Sequence, residues 1–295
     1  MPPNLGLVCI TVSKDIRYRT ITRTRLYAAA PDAQRKLLDD IYRDNIQTFD
    51  NALRYCEREG IRLYRIPSSI FPFADEDIGR EVLAPLATTL GKSGLRATAL
   101  GIRLVMHPDQ FVVLSSDAPH VVENSIKILQ MHADIMDLLK QPRSPWALLE
   151  IHGGKANRSE QLIAVIATLP DAIRSRLGLE NDEYSYSAED IFAICQRSGV
   201  PMVLDAHHHI VHEKLSSYDE PSIGEMLAKA RTTWADPAHQ LVHISNGRES
   251  FNDRQHADLI ETMPASYVQA PWIEIEAKSK EEAIAKLAPW RQAAM

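Results

Sequence analysis

Eight short apolar runs alternate with segments of helical periodicity along almost the whole 295-residue chain. Apolar runs between turn signals predict strands, and apolar residues spaced every three or four positions predict helices. The predicted strands are 5–11, 62–66, 103–107, 146–152, 177–180, 202–206, 240–245 and 272–276. The predicted helices are 32–59, 78–90, 119–140, 159–176, 188–198, 223–232, 253–262 and 280–291. Such alternation is typical of a parallel sheet with helical crossovers.

Eight strand–helix pairs in a chain of this length predict an α/β fold, namely a single (β/α)8 TIM barrel over residues 1–295. The alternative is an open, doubly wound sheet, but no G-x-G-x-x-G sequence follows a strand as in dinucleotide-binding sheets. No apolar run reaches about 18 residues, and the N-terminus lacks the features of a signal peptide. We therefore expect a monomeric cytoplasmic protein without a membrane span.

Six successive predicted strands carry an ionisable residue at or near their C-terminal ends. These residues are His107, His152, Glu180, Asp205, His243 and Glu276. In a barrel the C-terminal ends of all strands open on one face, where active sites are built. The pattern thus predicts that side chains far apart in the chain meet in one pocket on this face. The alternative is that each residue is satisfied separately at the edge of its own strand.

The densest group of ionisable residues is the stretch VLDAHHHIVH, residues 203–212. Within it, Asp205 and His208 form a D-x-x-H pair. We predict that His208 is a metal ligand and that His207 and His209 are not. The other histidines are expected outside the site: His212 on the following loop, and His120, His132 and His239 in helices or a loop before a strand.

Several carboxylates and imidazoles grouped in one pocket predict bound cations. Each buried charge without a counterion costs several kcal/mol, and a divalent ion removes that penalty. Imidazole and carboxylate ligands without thiolates favour Zn²⁺, Mn²⁺ or Fe²⁺ at a reactive site over structural zinc. The six candidates exceed what one tetrahedral ion can bind, so a cluster of two or three ions is predicted, with Glu180 as a plausible bridge. The cysteines are scattered and are interpreted as small buried residues: Cys9, Cys56 and Cys195.

Two reaction classes suit such a cluster. Divalent ions lower the pKa of bound water and stabilise phosphate oxygens, so phosphodiester hydrolysis is one class. The loop predicted after the first strand, SKDIRYRTITRTR, could hold a nucleic-acid backbone on the metal face, although it could also be a plain solvated loop. Its cations are Lys14, Arg17, Arg19, Arg23 and Arg25. Metal-assisted isomerisation or epimerisation of a sugar is the second class and needs no cationic track. The net charge of −6 does not exclude a local basic surface.

Nine segments along the chain match the motifs of one known family. They are LGLVC, RTITRTRL, LYRIPSSIFPF, MHPDQFVVLSS, IHGG, LENDE, VLDAHHH, VHIS and EAKSKE. On these segments, which run from Leu5 to Glu281, the chain resembles the UV-damage endonuclease family. That family is related in fold to endonuclease IV and the xylose-isomerase-like barrels. LENDE and HPDQF in combination with the D-x-x-H pair are the most specific of the matches.

The resemblance implies a manganese-dependent endonuclease, with Zn²⁺ as a possible substitute, that acts on damaged double-stranded DNA. The expected reaction is a nick immediately 5′ of a UV photoproduct, leaving a 3′-hydroxyl and a 5′-phosphate. By motif, the first metal is held by Glu180, Asp205, His243 and Glu276, the second by His107, His152 and the bridging Glu180, and the third by His208 and His256. Glu180 and Glu276 are the predicted catalytic residues among them.

The resemblance also implies residues that contact DNA. Gln110 and Phe111 match the pair that in the family wedges into the duplex at the lesion. An aromatic residue beside an amide on a metal-face loop independently suits the unstacking of a base step, although it could also anchor that loop. The full set of predicted DNA-binding residues is Gln110, Phe111, Arg17, Arg19, Arg23, Lys155 and Lys278.

The chain departs from the family pattern at five positions. Phe111 stands where many members have tyrosine, Ser69 where some have a histidine ligand, and Leu241 where some have a modified lysine. Leu7 and Thr11 replace polar or aromatic residues found near the lesion in certain relatives. These departures leave the lesion range and the occupancy of the second and third metals open. They also leave a third hypothesis, a DNA-binding relative that has lost a metal and with it catalysis.

Overall fold

The computed structural model describes residues 2–108 and 111–293, and its eight strands close into a barrel. The strands are β1 (Asn4–Val8), β2 (Leu63–Ile66), β3 (Arg103–Met106), β4 (Leu149–His152), β5 (Leu177–Glu180), β6 (Met202–Asp205), β7 (Leu241–Ile244) and β8 (Trp272–Ile275). Each strand pairs in parallel with its sequence neighbours, and β1 pairs with β8. The predicted (β/α)8 barrel is therefore confirmed, and the open sheet is not formed.

Helices surround the barrel and follow the strands in the predicted order. They are α1 (Arg23–Tyr27), α2 (Pro31–Arg58), α3 (Asp77–Leu83), α4 (Ala87–Ala99), α5 (Pro119–Leu138), α6 (Ser159–Thr168), α7 (Asp171–Arg174), α8 (Ala188–Ser198), α9 (Ala206–Glu213), α10 (Pro221–Arg231), α11 (Lys280–Lys286) and α12 (Ala288–Ala293). The long α2 starts with proline and stops before Gly60, whose φ of +66° ends the helix as the sequence indicates. None of the described helices has the length and apolarity needed to cross a bilayer.

The predicted helix 253–262 is wrong, because this segment forms turns and loops. Asp253 closes a turn, because its carboxylate accepts from the N–H groups of Glu249 and Gln255, each at 3.0 Å. Further along, a side chain captures backbone N–H groups that a helix would need. The Asn246 side-chain oxygen accepts from the N–H groups of Glu261 and Thr262 at 2.7 and 2.9 Å. Such local side-chain bonds compete directly with helical hydrogen bonds.

The prediction that His212 lies on a loop is also wrong, because α9 extends from Ala206 through His212 to Glu213. The Asp205 side chain accepts a hydrogen bond of 2.8 Å from the backbone N–H of His208. This contact makes Asp205 the N-cap of α9. The D-x-x-H spacing therefore has a structural role in addition to any role in metal binding.

Arg103 closes the N-terminal end of the barrel, opposite the predicted metal face. Its guanidinium is completely buried and donates to the backbone oxygens of Pro145, Trp146 and His239 at 2.8, 2.8 and 2.9 Å. Three indole rings surround it at 5.2 to 5.8 Å, in cation–π contact. They belong to Trp146, Trp234 and Trp272. This end is thus filled by a structural plug, so the open end carries the chemistry.

Replacing Arg103 with methionine is expected to destabilise the barrel without altering its open end. The change leaves three buried carbonyl oxygens without their donor, so the free energy of unfolding should fall by about 3 kcal/mol. Urea unfolding at equilibrium would measure this loss. Arg54→Met, on the exposed face of α2, is the matched control and should change stability by about 0.5 kcal/mol or less. An equal effect of both variants would contradict the structural role of Arg103.

Candidate metal centre

The barrel brings the ionisable residues of six strand ends together at its open end. His152, Glu180 and Asp205 are the last residues of β4, β5 and β6. His107 and Glu276 directly follow β3 and β8. Strand pairing then fixes their neighbours, since His152 is in register with Glu180 and Asp205 is in register with His243 of β7. Parallel register thus converts a pattern along the sequence into one shared pocket.

The first potential ligand group contains Asp205, His243 and Glu276, whose ligand atoms lie within 4.8 Å of one another. His243 Nδ1 lies 3.5 Å from Glu276 Oε1 and 2.9 Å from Glu180 Oε1. Glu180 therefore borders this group from the β5 side. The four residues that the resemblance implied for the first metal are adjacent in space.

The second potential ligand group contains His107, His152 and Glu180. Nε2 of His107 and Nε2 of His152 lie 2.9 and 3.7 Å from the same oxygen, Glu180 Oε2. His107 Nδ1 is 3.0 Å from the backbone oxygen of Pro108, to which it can donate. That bond leaves Nε2 free to act as a ligand. Ser69, at a position where some relatives carry a ligand, is exposed on a turn after β2.

The third potential ligand group contains Glu180, Asp205 and His208. His208 Nδ1 lies 2.9 Å from the Asn181 backbone oxygen and 3.4 Å from Glu180 Oε1. His256, the partner that the resemblance implied, lies on a loop with Nδ1 3.8 Å from Glu276 Oε2. Its ring centre is 6.4 Å from that of His208, and the groups formed by the described residues do not include it.

The neighbouring histidines of α9 are engaged elsewhere. Nδ1 of His207 lies 2.7 Å from the Tyr218 hydroxyl, and its Nε2 lies 2.7 Å from the Asp253 backbone oxygen. Nε2 of His209 lies 3.2 Å from the Ser222 hydroxyl. These contacts support the prediction that His208 is the ligand in the DAHHH segment.

Glu180 joins the ligand groups because its two oxygens face different sides. Oε2 faces His107 and His152, whereas Oε1 faces His208 and His243. Side-chain exposure of Glu180 is only 1%. A buried carboxylate placed between imidazoles on both sides has the arrangement of a ligand that bridges two ions.

The donor set fits divalent cations. Asp205 Oδ2 is buried and lacks a hydrogen-bond partner among the described residues, although it belongs to two of the ligand groups. A buried carboxylate oxygen without a partner carries its full desolvation penalty. A cation shared with imidazole and carboxylate neighbours would satisfy it, and these are ligand types that Mn²⁺, Fe²⁺ and Zn²⁺ accept. Group geometry therefore agrees with a metal centre of two or three ions.

In the metal-free pocket, electrostatics favour an ionised Glu180 and a charged His208 but a neutral His152. Burial raises the pKa of Glu180, but the nearby His243 and His152 outweigh it and hold that pKa well below its usual range. Burial lowers the pKa of His208, but Asp205 and Glu180 outweigh it and raise the pKa to about 9. Burial lowers the pKa of His152 below its usual value. Metal ions would replace the positive charge that protons supply in their absence.

Three charged residues that the sequence analysis missed lie one level deeper in the barrel. We call Arg65 of β2, Glu150 of β4 and Glu274 of β8 the lower charge layer. Their side-chain exposures are 9%, 0% and 0%. A signal was present in the sequence, because Glu150 precedes His152 by two residues and Glu274 precedes Glu276 by two, which places each pair on the same face of its strand.

The predicted wedge lies on the loop after β3. Gln110 lies outside the described residues, and Phe111 has 73% of its surface exposed. A phenyl ring this exposed contributes little to folding. The loop lines a cavity of about 440 Å³ together with His107, His152 and Lys155. Phe111 itself lines a separate cavity of about 1090 Å³ with Arg23 and Tyr27 of α1, and its exposed ring is accessible to a large ligand.

The other predicted DNA contacts surround the open end. Arg17 and Lys278 are exposed, while Arg19, Arg23 and Lys155 form exposed ion pairs with acidic residues. Those acidic partners are Asp44, Glu76 and Asp117. Exposed ion pairs contribute only about 0–1 kcal/mol each, so a phosphate could displace the carboxylates at little cost.

Glu281, in the EAKSKE segment after β8, fixes the first loop. Its two carboxylate oxygens accept from the backbone N–H groups of Val12 and Ser13, each at 2.8 Å. The loop that carries Arg17, Arg19 and Arg23 is therefore tied to the end of the last strand. This contact holds the basic residues at the same face as the metal groups.

Comparison with known proteins places the chain in a family. The model of the UV-endonuclease UvdE family matches residues 3–292. A UV DNA damage endonuclease of Nostoc sp. is 56% identical over 290 residues, which cover 98% of this chain and 90% of that protein. The UV DNA damage endonuclease of Deinococcus radiodurans is 49% identical over 288 residues, 97% of this chain and 94% of that protein.

Solved structures agree on the architecture. SacUVDE superposes with a TM-score of 0.82 at 24% identity and covers 98% of this chain and 99% of its own. A D-tagatose 3-epimerase-like protein superposes with a TM-score of 0.57 at 11% identity, covering 98% of this chain and 96% of its own. At these identities both likenesses show the fold alone. The family match over nearly the whole chain, with relatives at 56% and 49% identity, shows that this chain belongs to the UV-endonuclease UvdE family.

Proposed function

We propose that the protein is a metal-dependent DNA-repair endonuclease acting on UV-damaged double-stranded DNA. It incises immediately 5′ of a photoproduct and leaves a 3′-hydroxyl and a 5′-phosphate. The observation that carries the proposal is the set of overlapping ligand groups around Glu180 at the open end of the barrel. The names of the relatives, UV DNA damage endonuclease, supply the substrate class.

The metal centre holds two or three divalent ions, and Mn²⁺ is the proposed physiological metal, with Zn²⁺ as a possible substitute. Bound ions supply a hydroxide near neutral pH and stabilise the negative charge on the phosphate and its leaving oxygen. The proposed ligands are His107, His152, Glu180, Asp205, His208, His243, His256 and Glu276. The two proposed catalytic carboxylates, Glu180 and Glu276, lie close together, since both border Nδ1 of His243.

The chain's own residues place the DNA. Phe111, with Gln110, enters the base stack at the lesion, where weakened stacking lowers the energy needed to kink the duplex. Arg17, Arg19 and Arg23 hold phosphates on the first loop. Lys155 and Lys278 do the same beyond β4 and β8. Phe111 and these cations follow the C-terminal ends of β1, β3, β4 and β8, and the ligand groups lie at the same end of the barrel.

A sugar isomerase or epimerase is the alternative, since barrels of that class share the architecture. Two features favour the nuclease. An exposed phenyl ring shortly after the proposed ligand His107 is unfavourable in a site that must enclose a small polar sugar. The basic first loop serves no purpose for an uncharged sugar. A DNA-binding relative without catalysis is disfavoured, because each ligand group retains three donors without a residue from position 69 or 241.

Purified protein with Mn²⁺ is expected to nick UV-irradiated supercoiled plasmid and to leave unirradiated plasmid intact. Gel electrophoresis would resolve the nicked circle from the supercoil. EDTA should abolish nicking, and added Mn²⁺ should restore it, because the ions supply the nucleophile. On an oligonucleotide with one photoproduct, a polymerase should extend the 3′ end and a ligase should reseal the 5′ end. Lesion binding without a nick would instead support the inactive relative.

Glu180→Ala is expected to reduce nicking by about 100-fold or more, because one bridging ligand serves two ions. The rate of conversion of supercoil to nicked circle measures the effect. Glu189→Ala, a carboxylate on the exposed surface of α8, is the matched control and should nick normally. Near-normal activity of Glu180→Ala would remove Glu180 from the catalytic site.

Phe111→Ala is expected to lower the preference for damaged over intact DNA by about 10-fold, because base–aromatic stacking contributes 1–3 kcal/mol. Competition gel shifts with both DNAs would measure the ratio, and metal content should stay unchanged. Phe111→Tyr keeps the ring and should retain the preference. Leu95→Ala, an exposed apolar residue on α4, is the control. Equal losses of metal and of preference in Phe111→Ala would mean that the ring only anchors its loop.

A further inference from the structure

His243 separates the potential metal groups from the lower charge layer. Its Nδ1 faces the open end, 2.9 Å from Glu180 Oε1 and 3.5 Å from Glu276 Oε1. Its Nε2 faces the other way, 2.8 Å from Glu274 Oε2 and 2.6 Å from Glu150 Oε2. The ring is completely buried, so water cannot substitute for either set of neighbours. Both nitrogens thus face carboxylates, but only Nδ1 faces those of the potential metal groups at the open end.

Without a cation the ring hydrogen can lie on either nitrogen, since Nδ1 is 2.9 Å from Glu180 Oε1 and Nε2 can accept from Arg65 Nη2 at 3.1 Å. A cation that binds at Nδ1 requires a lone pair on that nitrogen, so the hydrogen is then on Nε2. There it lies beside Glu274 Oε2 and Glu150 Oε2, which are acceptors only. An imidazole that donates from Nε2 presents the lone pair of Nδ1 to a cation.

Glu274 is the better fixed of the two acceptors. Arg65 Nε donates to Glu274 Oε2 at 2.7 Å, and Arg65 Nη2 contacts the same oxygen. Neither oxygen of Glu150 has a hydrogen bond among the described residues, and Arg65 Nη2 is 3.9 Å away from it. Strand pairing also places Glu274 opposite His243. Backbone register and a buried guanidinium together hold the Glu274 carboxylate against the imidazole.

Two other proposed histidine ligands, His107 and His208, have a comparable arrangement with backbone acceptors. Nδ1 of His107 lies 3.0 Å from the Pro108 carbonyl, and Nδ1 of His208 lies 2.9 Å from the Asn181 carbonyl. In both cases the backbone oxygen fixes the ring and leaves Nε2 for a metal. His243 differs because its acceptor is a charged side chain, which mutation can remove.

We propose that Glu274, held by Arg65, is a positioning residue that orients His243 and keeps its Nδ1 free for a divalent cation. The proposal rests on the metal centre proposed above. Glu274 itself faces away from the open end and is not a ligand of that centre. Arg65 also contacts Glu276, at 2.6 Å from its Oε1, so the same guanidinium steadies one ligand directly and a second through Glu274.

The test measures Mn²⁺ binding rather than nicking. Titration of wild-type protein, Glu274→Gln and Glu274→Ala, followed by electron paramagnetic resonance of free Mn²⁺, should show a progressive loss of affinity. Loss of such an outer partner of a ligand weakens metal binding by about 10- to 100-fold. The amide oxygen of glutamine can still accept from Nε2, so this variant should lose less. Glu282→Gln, the same change on the exposed face of α11, should bind like wild type.

A second readout reports on the ring itself. With ¹⁵N-labelled histidine, long-range ¹H–¹⁵N spectra distinguish Nε2–H from Nδ1–H, and the His243→Gln variant assigns the signal. Protein loaded with diamagnetic Zn²⁺ should show His243 with its hydrogen at Nε2. In Glu274→Ala this pattern should be lost or mixed. A residue that only stabilised the barrel would leave it unchanged.

Unchanged Mn²⁺ affinity in a folded Glu274→Ala protein would overturn the proposal. Failure of both variants to fold at 10 °C would also overturn it, because Glu274 would then act in barrel stability. Wild-type protein that binds Mn²⁺ but does not nick DNA would contradict the proposed function and leave this inference standing. Wild-type protein that bound no Mn²⁺ would contradict both the metal centre and this inference.

Discussion

Balance of buried charge at the open end of the barrel is the constraint on which the rest of this structure depends. Five carboxylates with little or no exposure meet there: Glu150, Glu180, Asp205, Glu274 and Glu276. Each uncompensated buried charge costs several kcal/mol. The buried guanidinium of Arg65 contacts three of them, Glu150, Glu274 and Glu276. The histidines between the carboxylates supply further positive charge only while they are protonated. Divalent ions are therefore expected to stabilise the fold as well as to perform the chemistry.

Side chains inside the barrel are arranged in successive layers along its axis. Tryptophans around Arg103 fill the N-terminal end, the lower charge layer comes next, and the ligand groups lie at the strand ends. Leu241 lies in the apolar cluster with Trp234 and Trp272, two residues before His243 on the same face of β7. A lysine at that position would have to extend past the lower charge layer to reach the metals. The apolar floor of this protein thus agrees with ligands supplied from the rim alone.

Much of the fold follows from the sequence because the strands are largely apolar runs, and β4, β5 and β6 each end at an ionisable residue. The ends of β4 and β5, at His152 and Glu180, were located to the residue. Competition between side-chain and helical hydrogen bonds is harder to predict from the sequence. The segment 253–262 has a helical pattern, yet Asn246 and Asp253 capture its N–H groups. The start of α9 was missed because Asp205 was considered as a ligand and not as a helix cap.

The sequence predicts the site residues at the strand ends but not those of the lower charge layer. Strand-end residues can be recognised in the sequence, because a run of apolar residues stops at them. Glu150, Glu274 and Arg65 each lie inside a strand, between apolar residues, and not at its C-terminal end. Their role appears only when the barrel closes and brings β2, β4 and β8 to face the same histidine of β7. Sequence spacing along one strand cannot report a contact that spans 209 residues.

The barrel places the proposed metal ligands on its strands and the proposed DNA contacts on its loops. Ligand atoms on strands are held by register, whereas the Phe111 loop and the basic first loop project from the barrel ends. Changes in such loops need not disturb side chains that the strands hold. The first loop is the exception, because Glu281 ties it to the segment after β8, directly beyond the Glu276 ligand. The first loop and Glu276 are therefore connected through one short segment of chain, whereas Phe111 follows a different strand, β3.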